Sequence, residues 1–107
     1  MTVAIESSIV RIFSNRGNAI GAGFLVSQKY ILTCAHVVAD ALGLPRTTVE
    51  MPDSEITLDF PLLPEKSRCK ARVVLWLPVN PDRFLEDIAG LELESSAPEA
   101  AIPARLI

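Results

Sequence analysis

An all-β domain, a barrel or a sandwich of six or seven short strands with one short helical segment, is the fold class this sequence predicts. Three observations predict it. Short runs rich in β-branched, aromatic and other apolar residues recur along the chain, as strands require. Clusters of Ser, Asn, Asp, Gly and Pro punctuate them at short intervals. Only the stretch after His36, the single histidine, has helical character. A chain of 107 residues makes one domain at most, and with 50% apolar residues it can bury a small core.

The elements follow in order. Ser8-Ile9-Val10-Arg11-Ile12-Phe13 reads as a strand, and Ser14 to Asn18 as a turn. Ile20 to Val26 pairs back on it as a hairpin. Gly21 and Gly23 within that strand signal close backbone approach at a crowded corner. A phosphate-binding loop is excluded there, because no helix N-terminus or Lys-Ser/Thr follows. Ser27-Gln28-Lys29 is a turn, and Tyr30 to Thr33 is the next strand. Val37 to Leu42 is a short helix, stopped by Gly43 with Pro45 beyond. Arg46 to Met51 reads as a further strand and Pro52 to Glu55 as a turn. Ile56 to Phe60 alternates apolar and polar, the pattern of a half-buried strand. Pro61 to Arg68 is a loop, since its prolines cannot donate to a ladder. Cys69 to Leu77 is a strand, with Ala71, Val73 and Leu75 on one face and Arg72, Val74 and Trp76 on the other. Asn80-Pro81-Asp82 turns the chain, and Phe84 to Glu86 lead into a last strand, Ile88 to Leu93. From Glu94 to Pro103 strand periodicity is lost.

Composition narrows the function. Net charge is −3, from 10 basic and 13 acidic residues mixed along the chain, so there is no basic stripe for nucleic acid. No apolar run is long enough for a transmembrane helix, and the N-terminus lacks the basic and apolar regions of a signal peptide. The expected compartment is the cytoplasm. Cys34 and Cys69 are expected to be free, buried thiols, which suits a reducing compartment. No His/Cys spacing is that of a metal site, and no cofactor is expected.

Two motifs carry chemistry. One is Gly21-Ala22-Gly23-Phe24-Leu25-Val26 followed by Ile31-Leu32-Thr33-Cys34-Ala35-His36-Val37-Val38. The other is Glu86-Asp87-Ile88-Ala89-Gly90-Leu91-Glu92-Leu93, whose Asp87 comes 51 residues after His36. Together they resemble the catalytic-histidine and catalytic-aspartate segments of trypsin-like (chymotrypsin-fold) serine proteases. The resemblance runs from Ile9 to Leu93. It implies that the strands form the N-terminal six-stranded Greek-key barrel of that fold over residues 1–94. Residues 95–107 would then be a linker, or the start of the crossing to a C-terminal barrel. It further implies that His36 is a general base and Asp87 the carboxylate that orients it. Histidine suits that role because its ordinary pKa, roughly 6.5, lies near neutrality. Asp82 and Glu86 are the rival acids, and the register of Ile88-Ala89-x-Leu91 favours Asp87.

The sequence departs from the family in three places. Secreted members often carry a cysteine directly after the histidine, where this chain has Val37. Gly90 stands where a larger apolar residue is usual, and a packing gap is expected there. No serine is followed by glycine, as the family's nucleophile is. The expectation is therefore the N-terminal part of a serine endopeptidase, inactive in isolation, acting on protein or peptide substrates in its full-length form. The alternative is a protease-derived binding or scaffold module without catalysis. In either case an exposed barrel face is a candidate surface for self-association. Cys34, as a nucleophile beside His36, is disfavoured, because neighbours two apart on an extended strand end rarely aim at one substrate atom.

Overall fold

The computed structural model describes residues 7–64, 67–80, 82 and 86–104. Six antiparallel strands close into a barrel: β1 (Ile9–Phe13), β2 (Ala19–Leu25), β3 (Tyr30–Thr33), β4 (Glu55–Asp59), β5 (Cys69–Leu77) and β6 (Ile88–Leu93). Around the barrel the order is β1-β2-β3-β6-β5-β4, a Greek key in which the last strand inserts between β3 and β5. The helix α1 (Ala35–Leu42) follows β3. The all-β expectation and its six-stranded barrel are both observed.

Period-2 alternation fills the barrel. Val10 and Ile12 of β1, Leu25 of β2, Ile31 of β3, Ile56 and Leu58 of β4, Ala71 and Val73 of β5 and Leu91 and Leu93 of β6 all point inward. Phe60 and Leu63, just past β4, plug one side. Val38 and Ala41 of α1 join the same core. Closure joins β1 to β4, and there Asp59 is almost fully buried and accepts two bonds from Arg11, at 3.0 and 2.7 Å. A buried carboxylate is stable only when paired in this way. Arg11 and Arg68 also face the Phe13 ring, at 5.2 and 4.0 Å from its centroid.

Turns match their residues. Ser14 Oγ accepts from the backbone N–H groups of Arg16 and Asn18, which closes the β1–β2 hairpin. Gly43 ends α1 with φ 70°, and the N–H groups of Gly43 and Leu44 return to the carbonyls of Asp40 and Ala39. That is the Schellman closure, which glycine permits without a Cβ clash.

Three expectations are corrected. Arg46 to Met51 is not a strand. Its apolar residues find no barrel face, and Val49 is 77% exposed. The segment is held as a loop instead, by Arg46 paired with Asp40 and by Trp76 Nε1 donating to Thr48 O at 3.1 Å. The facing of β5 also changes midway. Val73 pairs with Leu91 but Leu75 pairs with Gly90, so Val74 is an inserted bulge residue. Leu75 consequently turns to the outside, 44% exposed, and Trp76 packs against the core. Finally, Gly90 leaves no gap: a Cβ there would lie 2.9 Å from Leu75 Cβ, so the bulge already occupies the space.

After β6 the chain forms no strand from Glu94 to Ala104. It stays on the barrel nonetheless. Ala97 and Ala104 donate to the carbonyls of Gln28 and Leu25, and Ala97 and Ala101 are buried. Phe84 and Leu85, expected to lead into β6, lie outside the described residues. Among the described residues no helix is long and apolar enough to cross a membrane.

Candidate active site

The β3–β6 pairing builds the site. Thr33 lies opposite Ala89, and the strands are antiparallel. The chain leaving β3 therefore passes the chain entering β6. His36, in the first turn of α1, meets Asp87, the residue just before β6. Their ring and carboxylate lie 2.6 Å apart, Nδ1 to Oδ2. The other carboxylate oxygen, Oδ1, accepts from the His36 backbone N–H at 2.8 Å. A carboxylate can only accept, so Nδ1 carries the proton and Nε2 presents a lone pair. Among the described residues Nε2 has no hydrogen-bond partner. The two side chains are 33% and 26% exposed, accessible to a reactant yet partly shielded from water.

The helix needs this carboxylate as much as the ring does. The first backbone N–H groups of a helix have no partner within it. The residue at its N-cap is Cys34, which makes no capping bond. Asp87 supplies the missing acceptor from the entry to β6, and its negative charge sits at the positive end of the helix dipole. Its backbone is strained to achieve this, with φ 113°, the one non-glycine positive φ among the described residues. A bond from its N–H to Leu77 O, at 3.1 Å, helps to hold it.

The structure brings Asp87 to His36, rather than Asp82 or Glu86. Asp82 is exposed, and its backbone N–H is donated to Asn80 Oδ1. The helix begins at Ala35, two residues before the start the sequence predicts at Val37, and so includes His36. The N-cap position is Cys34, not the Ser, Thr, Asp or Asn that usually caps a helix, which leaves this N-terminus to be capped from a distance.

Cys34 is the second correction at this site. Both cysteines are free, but Cys34 is exposed rather than buried, and Cys69 is half-buried. The Cys34 sulfur, a His36 ring nitrogen and an Asp87 carboxylate oxygen all lie within 4.8 Å of one another. Partial burial pushes the Cys34 thiol up, and the charge of Asp87 pushes it further the same way. Alkylation of Cys34 by iodoacetamide, followed in a Cys69→Ala background, is therefore expected to rise only above the ordinary thiol range. Asp87→Asn removes the negative charge and should move that pH profile downward; an unmoved profile would mean the two groups do not interact.

Beside the pair lies an apolar groove of 270 Å³, lined by Gly23, Phe24, Leu32, Cys34, Asp87 and Ile88. Phe24 and Ile88 stay 49% and 39% exposed.

A sequence model of the trypsin family matches residues 3–106. The chain belongs to the trypsin family. Among solved structures, this trypsin-family chain resembles HL collagenase with a TM-score of 0.59 and 20% identity, over 97% of this chain and 43% of that one. It resembles neuropsin, a serine protease expressed in the limbic system of mouse brain, with a TM-score of 0.57 and 17% identity, over 95% of this chain and 44% of that one. At such identities the likeness is one of fold. The chain spans less than half the length of these two structures. No curated protein sequence matches it.

Proposed function

We propose that this chain is the N-terminal half of a trypsin-like serine endopeptidase and supplies its base and orienting acid. The observation that carries the reading is the doubly bonded His36–Asp87 pair, 2.6 Å through the ring and 2.8 Å through the backbone. In this reading Nε2 of His36 takes the proton of a serine hydroxyl as that oxygen attacks the substrate carbonyl. The same nitrogen then delivers the proton to the leaving amine. Asp87 keeps the ring in the required tautomer and stabilises the imidazolium formed in between. The serine, the oxyanion donors and the specificity pocket come from residues outside these 107. The second half of the domain covers the groove at Phe24 and Ile88. Substrates are proteins or peptides, and the chain alone is inactive, because a base without a nucleophile has no acyl acceptor.

The test compares the chain alone with the chain extended through its natural downstream sequence. The extended protein should contain a Gly-x-Ser-Gly segment, react with a fluorophosphonate probe at that serine and hydrolyse peptides. The chain alone should do neither. Specific labelling of a serine within the 107 residues would overturn the division of labour. A downstream sequence without such a serine would leave a binding module, with the exposed groove as its contact surface.

A further inference from the structure

We infer that Cys34, His36 and Asp87 form a binding site for a thiophilic divalent cation of the zinc class. The three side chains come from the end of β3, the first turn of α1 and the entry to β6. Each offers one donor atom, and the three donors lie within 4.8 Å of one another. Around zinc, bonds of about 2.0–2.3 Å put tetrahedral ligands roughly 3.3–3.8 Å apart. The sulfur need approach by no more than about 1.5 Å. Cys34 is exposed, and no bond among the described residues restrains its side chain.

The ring nitrogen beside Asp87 is Nδ1, and the cation takes the place of the proton now between Nδ1 and Oδ2. That pair must open from 2.6 Å, while Oδ1 stays anchored on the His36 N–H. The anchored oxygen orients the carboxylate, as outer contacts do in zinc sites generally. The donor set of one thiolate, one imidazole and one carboxylate selects zinc, cobalt or cadmium over calcium and magnesium, which prefer oxygen alone. Binding releases the Cys34 thiol proton and the Nδ1 proton, and the latter is replaced from solvent on Nε2. A fourth position on the cation is left for water. Where the proposed protease function holds, the consequence is regulatory: with a cation on Nδ1, Nε2 carries a proton and cannot act as base. The binding itself does not depend on that function.

Cobalt(II) is the probe, because thiolate ligation gives it a near-ultraviolet charge-transfer band. The reduced chain should bind one equivalent with that band, and zinc should displace it. Cys34→Ser should abolish the band and Cys69→Ser should leave it. His36→Gln and Asp87→Asn should each weaken binding by tenfold or more. Circular dichroism of each variant checks that the barrel is retained, and exposed Cys34 makes Cys34→Ser the variant least able to disturb it. The site is refuted if wild type shows no band, if the band survives Cys34→Ser, or if folded His36→Gln and Asp87→Asn both bind as wild type does. None of these readouts needs peptidase activity, so failure of the site and failure of the protease reading are separate results.

Discussion

Where the proposed endopeptidase function holds, Asp87→Asn in the complete protein is expected to lower kcat by about four orders of magnitude, the loss known for the corresponding change in the trypsin prototype of this family. The local geometry explains why so small a change should cost so much. The His36 backbone N–H donates to one oxygen of Asp87 at 2.8 Å. In an asparagine the amide oxygen must occupy that place, since two donors cannot face each other. The amide NH2 then faces Nδ1, 2.6 Å away in the native pair. Nδ1 becomes the acceptor, the ring proton moves to Nε2, and the nitrogen that should accept a proton can only donate one. The helix cap survives the substitution, so the melting temperature should change little while turnover collapses. Steady-state hydrolysis of a peptide substrate measures the effect, alongside thermal unfolding of the same samples. A fall of less than tenfold would remove Asp87 from the orienting role.

The elements that set this pair were legible because they combine short-range pattern with fixed register. Tyr30 to Thr33 and Ile88 to Leu93 are apolar runs bounded by polar or turn residues, and both are strands with the expected limits. What escaped the sequence has physical reasons. Arg46 to Met51 contains Val49 and Met51, which read as strand residues, yet no barrel strand is left to pair with them. Propensity is local, whereas a strand exists only with a partner. The bulge at Val74 was hidden because Val73, Val74 and Leu75 are all apolar, and alternation cannot count an extra residue within such a run. Its only trace was Gly90 across the ladder, whose missing side chain makes room for Leu75. The exposure of Cys34 escaped for another reason: it sits where a strand becomes a helix, and neither period predicts a facing at a junction.

Gly21 and Gly23 should respond differently to substitution, although both crowd the same strand. A Cβ on Gly21 would stand 2.5 and 2.9 Å from the two γ-methyls of Val37, the residue after His36. Gly21→Ala is therefore expected to cost about 1–3 kcal/mol, as overpacking does. The obstacle is a side chain, so Val37→Ala should recover most of the loss in a double-mutant cycle. On Gly23 the obstacle is backbone. Its Cβ would stand 2.7 Å from the Leu32 carbonyl oxygen, with Thr33 Cβ at 3.1 Å. No side-chain change can relieve that contact, and retreat of either strand breaks the β2–β3 pairing of Gly23 with Thr33. Since β3 delivers His36 to Asp87, Gly23→Val should cost at least about 3 kcal/mol, the upper end of the overpacking range, and disorder the pair as well. Urea unfolding reads the stability, and the His36 ring signals by NMR read the pair. If Gly23→Val unfolds near the wild-type midpoint, or if Val37→Ala fails to rescue Gly21→Ala, the packing of β2 against β3 and α1 is not what holds this site in place.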